Sequence, residues 1–110
     1  MKNPKHISWV HQFYCCVAAF SHSPCQGPIQ AHHLLKPWSG NKRGIGYKAS
    51  DENVVPLCLS HHMLLHDKIG NEFKFFEQIT GQQNWGQEVA KTLWAISPER
   101  TQPIMKDETE

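Results

Sequence analysis

Apolar side chains recur at helical spacing in several stretches of the chain. Ile7, Val10 and Tyr14 fall on one face of the first stretch, which starts with Pro4, a residue favoured in the first turn of a helix. The pattern predicts four helices, over residues 4–14 and 60–69, between Asn71 and Gly81, and between Asn84 and Pro98.

The predicted helix ends rest on residues that satisfy or terminate a helical backbone. Ser60 is the expected N-cap of the second helix, and Gly70 is expected to close it. Asn84 followed by Gln87 resembles a capping box. Gly81 marks the end of the third helix.

Residues 29–35 and 53–57 are predicted as short strands. Pro56 lacks a backbone N–H, which indicates the edge or end of a strand. Residues 36–50 between the strands contain three glycines and four basic residues, which favours a long loop. The middle of the chain therefore has the order strand, long loop, strand, helix.

The 110 residues fit one domain, which we place at residues 1–98 with a core at about 15–70. Residues 99–110 are polar and are predicted to be a disordered tail. The longest apolar runs are only a few residues, so no membrane-spanning helix is expected. The N-terminus shows no signal-peptide core, which favours a cytoplasmic location.

The net charge of +1 hides an uneven distribution. Residues 1–50 contain six Lys or Arg and no Asp or Glu, whereas residues 51–110 contain five Lys or Arg and all ten acids. The two halves therefore carry +6 and −5. A near-neutral protein can still present a basic face to an anionic partner, because the local field matters more than the sum.

Four cysteines in so short a chain indicate either disulfides or a metal site. Adjacent cysteines pair awkwardly and no secretion signal is visible, so metal binding is the better interpretation. Cys58 and His61 have the spacing C-x-x-H where a strand is predicted to turn into a helix. Cys25 and either Cys15 or Cys16 are the candidates for the remaining ligands of a structural zinc ion, and Cys15 is preferred.

Four further histidines form a second candidate site. His62 and His66 are four residues apart and share a helix face, whereas His61 points about 100° away and can serve a different ion. His32 and His33 are neighbours on a predicted strand, so their side chains point to opposite sides. One of them can join the helical pair on a metal while the other faces a substrate. Three imidazoles leave coordination positions open, as a catalytic ion requires.

The segments AHHLL and GIGYKASDENVVPLCLSHHMLLH resemble the motif of the HNH nucleases, also called ββα-metal or His-Me finger nucleases. The chain is most similar to the phage recombination-associated, Ref-like group of this family. The resemblance extends over about residues 7–80 and includes GNEFKFFEQITG. It implies an α+β fold with a small zinc-stabilised, treble-clef-like ββα-metal core and flanking helices.

The resemblance also implies roles for individual residues. His33 corresponds to the general base, and Asn53 to the residue that braces the loop presenting it. Cys58 and His61 correspond to the second zinc knuckle, while the pairing of Cys15 with Cys25 departs from the usual C-x-x-C of the first. The ligands of the catalytic divalent ion, Mg²⁺ or Mn²⁺ with Zn²⁺ as an alternative, correspond to His32, His62 and His66.

The loop between the strands is expected to grip the phosphates of DNA. Basic side chains release counterions when they neutralise phosphates, and they position a duplex without reading its sequence. Trp38 and Tyr47 can stack on a base or pack internally, and packing is preferred. The predicted phosphate contacts are Lys36, Lys42, Arg43 and Lys48.

The function that follows from the resemblance is a metal-dependent DNA endonuclease or nickase in phage or prophage recombination or DNA processing. Its products would carry 5′-phosphate and 3′-hydroxyl ends, its location would be the bacterial or phage-infected cytoplasm, and a recombinase filament is a candidate partner. One alternative is a non-catalytic zinc module that binds nucleic acid or a recombination protein. A second alternative is a metal-dependent hydrolase that acts on a substrate other than nucleic acid. The absence of acidic residues from the first half of the chain disfavours this alternative.

Overall fold

The computed structural model describes residues 2–20, 24–38 and 50–100. Within them, helices surround a two-stranded antiparallel sheet, which confirms the predicted α+β class. A 3₁₀ turn, Asp51–Asn53, precedes the second strand, and a π-helical segment, Leu64–Ile69, extends the second helix. The elements in chain order are α1 (Pro4–Val10), β1 (Ile29–His33), β2 (Val54–Cys58), α2 (Leu59–Met63), α3 (Glu72–Thr80) and α4 (Trp85–Ile96).

The register of the sheet decides which side chains share a face. Ile29 of β1 lies opposite Cys58 of β2, and His33 lies opposite Val54. Because successive residues of a strand alternate between faces, His32 shares the face of Val55 and His33 the opposite face. The predicted separation of the two histidine side chains therefore follows from the pleat of β1.

Helices cover both faces of the sheet with apolar side chains. The larger hydrophobic cluster includes Leu57, Phe75 and Phe76, all fully buried. The smaller cluster, around Val54 and Leu93, lies on the other face. Every residue of β2 is buried, so this strand is the centre of the domain although the sheet has only two strands.

The ends of the helices differ in part from the sequence prediction. Helix α1 ends at Val10 instead of continuing to residue 14. Helix α2 begins one residue early, after Cys58, and Ser60 is not its N-cap. The Ser60 hydroxyl instead accepts a hydrogen bond from the backbone amide of Gln26. A contact between distant parts of the chain therefore replaces the predicted helix cap.

Other helix ends occur where they were predicted, with one exception. Asn71 caps α3 by accepting a hydrogen bond from the Lys74 amide, and Gly70 and Gly81 end their helices at positive φ angles of 71° and 83°. The Asn84 side chain makes no cap hydrogen bond, so the predicted capping box is wrong. No helix in the described ranges is long and apolar enough to cross a lipid bilayer.

His6 is a fully buried titratable residue in α1. Its ring lies edge-on to Trp94, with 4.9 Å between the ring centroids, and its Nδ1 is 2.8 Å from the Ser97 hydroxyl. Burial lowers the pKa of His6 below its ordinary value of 6.5, although nearby carboxylates, Asp51 foremost, act in the opposite direction. The folded domain therefore holds this imidazole in its neutral form.

This burial predicts a loss of stability in acid. Above pH 6.5, the ordinary pKa of histidine, His6 is neutral in both the folded and the unfolded chain and does not change the free energy of unfolding. As the pH falls below this value, the unfolded chain binds the proton more readily than the folded one, so the folded state loses stability. We expect the melting temperature of the wild type to fall more than that of His6→Gln between about pH 7.5 and about pH 5.5. Parallel decreases in the two proteins would contradict the prediction.

Candidate metal-binding sites

Three thiols and one imidazole meet where β2 passes into α2. His61 Nδ1 lies 3.0 Å from Cys58 Sγ, 3.6 Å from Cys25 Sγ and 3.7 Å from Cys15 Sγ. Two ligands of a tetrahedral zinc ion, one sulfur and one nitrogen, are separated by about 3.6 Å. The four donor atoms lie within 4.8 Å of one another, so this Cys₃His cluster can hold a metal ion.

The structure brings Cys15, not Cys16, into the Cys₃His cluster. The Cys16 amide donates a hydrogen bond to the Pro56 carbonyl at 2.8 Å, which lays this part of the chain beside the outer edge of β2. Cys15 then turns towards Cys58 and His61, whereas Cys16 packs beside the larger hydrophobic cluster. The preference for Cys15 thus agrees with the described geometry.

Cys58 is the thiol most readily deprotonated for metal binding. Burial opposes its ionisation, but hydrogen bonds from the Ser60 hydroxyl and from the backbone of His61 and Gln26 lower its pKa to about 6. The thiolate is the form that binds a metal ion. A donor set of three thiolates and an imidazole matches the ligands of structural zinc sites, so the residues present fit this ion.

A second cluster is formed by three histidines and lies on the other side of α2. His62 Nε2 is 3.3 Å from His32 Nδ1 and 3.1 Å from His66 Nε2. Nitrogen ligands of one tetrahedral ion are separated by about 3.3 Å. His32 is 3% exposed and His66 lies at the surface, so the three-histidine cluster is open on one side.

His62 presents a lone pair to the centre of the three-histidine cluster. The Oε1 atom of Gln30 accepts a hydrogen bond from His62 Nδ1, which leaves the His62 Nε2 lone pair facing the other two rings. Burial, and then the charges that His32 and His66 would carry, lower the pKa of His62 to about 4. His62 is therefore neutral at physiological pH, the state in which imidazole binds a metal ion.

His33 lies apart from both clusters, on the opposite face of β1 from His32. Its Nε2 donates a hydrogen bond of 2.9 Å to Asp51 Oδ1, and this carboxylate also accepts from the Asn3 amide. Burial disfavours the charge on Asp51, yet the hydrogen bonds from Asn3 and His33 hold its pKa below the ordinary value. Because Nε2 carries the hydrogen, the lone pair of His33 is on Nδ1.

Asn53 connects the segment after β1 to the turn before β2. Its Oδ1 accepts a hydrogen bond from the Trp38 amide at 2.8 Å, and its backbone carbonyl accepts from Leu34 at 2.9 Å. Its Nδ2 also donates to the Ser50 carbonyl. Asn53 is fully buried and braces the residues that immediately follow His33.

Among the predicted DNA contacts, only Lys36 lies in the described residues. It is exposed, and its Nζ sits 5.8 Å from the centre of the Phe73 ring. The predicted contacts Lys42, Arg43 and Lys48 lie outside the described residues, as does Tyr47. Trp38 is partly buried and donates from its indole to the Glu52 carbonyl, in keeping with the expected packing role.

Two carboxylates beside the histidines were missed by the sequence analysis. Asp51 binds His33, and Glu72 lies 2.8 Å from His32. The only signal for Asp51 is its position two residues before Asn53. Nothing in the sequence pattern distinguishes Glu72 from the exposed acids, because its partners are about 40 residues away in the chain.

The comparisons with known proteins add one relative. An uncharacterized protein of Escherichia coli K12, YdfU, is 37% identical over 82 residues, which is 72% of this chain. The chain spans about a quarter of that protein's length, 23%. No family profile and no solved structure matches the chain.

Proposed function

We propose that this domain is a metal-dependent DNA endonuclease or nickase of the HNH type. The observation that carries the proposal is the pair of adjacent histidines in β1. His32 points into the three-histidine cluster, while His33 points to the opposite face and is held there by Asp51. Such a pair supplies a metal ligand and a proton acceptor from one short strand.

The ligands of the divalent ion would be His32, His62 and His66. An ion held there would supply positive charge to the oxygens of a phosphodiester, on which negative charge develops during hydrolysis. The imidazoles are neutral donors, so the full charge of the ion would remain available. Because His66 lies at the surface, a phosphate group would approach the ion from that side.

The proposed general base is His33. Its Nδ1 would accept a proton from the attacking water, while Asp51 keeps the hydrogen on Nε2 and stabilises the imidazolium that forms. Asn53 positions this base by bracing the backbone that follows it. The exposed Lys36, three residues after His33, is the proposed contact to an adjacent phosphate.

Nicking of supercoiled plasmid tests the proposal. We expect the purified domain to nick or linearise plasmid with Mn²⁺, Mg²⁺ or Zn²⁺ and to stop when the ion is chelated. His66→Ala removes a surface ligand and should abolish cutting, whereas His11→Ala removes an exposed histidine outside both clusters and should leave cutting unchanged. Failure of the wild type with every ion on plasmid, single-stranded and branched DNA would overturn the proposal.

A non-catalytic zinc module is the competing proposal, favoured by the Cys₃His cluster alone. It requires only the ligands Cys15, Cys25, Cys58 and His61, and treats the other histidines as incidental. Counting bound metal separates the two proposals. The nuclease predicts one tightly held zinc and a second, exchangeable ion per chain, and the module predicts one.

A further inference from the structure

Glu72 is a buried carboxylate that binds three hydrogen-bond donors. It is the first residue of α3 and is 2% exposed. Its Oε2 accepts from His32 Nε2 at 2.8 Å and from the Leu35 amide at 2.9 Å, and its Oε1 accepts from the Lys36 amide at 3.0 Å. Two acceptor oxygens are needed to satisfy this set, and the N-terminal end of α3 favours the negative charge.

The position of Glu72 determines which nitrogen of His32 can bind an ion. A carboxylate can only accept hydrogen bonds, so the hydrogen of the His32 ring must be on Nε2. The lone pair is then on Nδ1, the atom that faces His62 at 3.3 Å. With the other tautomer, an N–H group would point to the centre of the three-histidine cluster.

We propose that Glu72 is a positioning residue for this ion site, which sets the tautomer and orientation of His32. A carboxylate that accepts from a ligating histidine also makes the opposite nitrogen a stronger donor. Its bonds to the Leu35 and Lys36 amides fix the backbone two and three residues after His33. One side chain thus holds both the metal ligand and the chain that follows the proposed base. The inference rests on the proposed metal site of the nuclease.

A purely structural role for Glu72 makes a different prediction. If Glu72 served only to satisfy the amides of Leu35 and Lys36, its loss would weaken the fold without a selective effect on metal binding. Glu72→Gln separates the two roles because it keeps the size of the side chain and one acceptor oxygen. With its amide oxygen towards His32, the glutamine faces the Lys36 amide with its NH₂ group. With the amide reversed, the NH₂ group faces the Leu35 amide and can donate to His32 Nε2, so the His32 tautomer is no longer fixed.

Titration with Co²⁺ tests the positioning role without requiring DNA cleavage. In protein with zinc already in the Cys₃His cluster, we expect Glu72→Gln to bind Co²⁺ at the three-histidine cluster about 10- to 100-fold more weakly than wild type. Retention of the zinc reports that the domain is folded. Glu77→Gln is the matched control, because Glu77 is an exposed residue of the same helix and should leave Co²⁺ affinity unchanged.

Nitrogen NMR of the His32 ring provides a second readout, measured with zinc in the Cys₃His cluster and no ion at the three-histidine cluster. We expect the hydrogen on Nε2 in the wild type and a mixture of tautomers in Glu72→Gln. Equal Co²⁺ affinity in Glu72→Gln and wild type, or a hydrogen on Nδ1 in the wild type, would overturn the inference. Glu72-dependent Co²⁺ binding by a domain that cuts no DNA would overturn the nuclease and leave the positioning role intact.

Discussion

His33→Ala is expected to lower the rate of DNA cleavage by about 10²- to 10⁴-fold, the usual contribution of a general base. The side chain is partly exposed and belongs to neither cluster, so the variant should fold and retain its bound metal. Initial rates of plasmid nicking under saturating divalent ion measure the effect. If His33→Ala cut plasmid at the wild-type rate while His66→Ala was inactive, His33 would not be the general base.

Asp51→Asn provides the test of how His33 is held. The Asp51 carboxylate accepts from both His33 and the Asn3 amide, so an amide at this position must present its NH₂ group to one of them. We therefore expect Asp51→Asn to lower the rate of plasmid nicking, but by less than His33→Ala does. Asp67→Asn removes an exposed carboxylate from the π-helical segment and should have no effect.

Cys58→Ala is expected to unfold the domain or to lower its melting temperature sharply. Structural zinc binds to small domains with about 10–16 kcal/mol, and much of this free energy is free energy of folding. A small domain is stable by only about 5–15 kcal/mol, so loss of one of four ligands removes a large part of its stability. Thermal unfolding followed by circular dichroism, with the zinc content measured in parallel, tests this expectation.

Cys16→Ala is the matched control for the zinc site. Cys16 is adjacent to a ligand in sequence but lies outside the Cys₃His cluster, so its variant should keep one zinc per chain and lose little stability. Equal melting temperatures for Cys58→Ala and wild type would contradict the structural zinc site. If Cys16→Ala lost its zinc and unfolded while Cys15→Ala remained stable, the zinc ligand would be Cys16 and not Cys15.

The sequence predicted those parts of the fold that depend on local spacing. The alternation along β1 separates His32 from His33, and the 100° step along α2 sends His61 and His62 to different clusters. These relations depend only on the geometry of a strand and a helix. The same local logic located the ends of helices at Gly70 and Gly81, where the backbone adopts positive φ angles.

Contacts between distant segments were beyond the reach of the sequence. Ser60 fits the pattern of an N-cap, but its hydroxyl binds residue 26 across the fold. Glu72 and Asp51 look like ordinary surface acids until the tertiary structure brings them to His32 and His33. Their roles depend on partners 18 and 40 residues away, which no local periodicity encodes.

A single peptide bond links the two ligand clusters, because His61 belongs to one and His62 to the other. An ion bound by His61 orders the first turn of α2 and so reduces the conformational entropy that His62 must lose when a second ion binds. We therefore expect positive cooperativity between the two ions, and thermodynamic linkage makes the effect reciprocal. Zinc supply would then influence the proposed nuclease through affinity for its second ion, as well as through the folding of the domain.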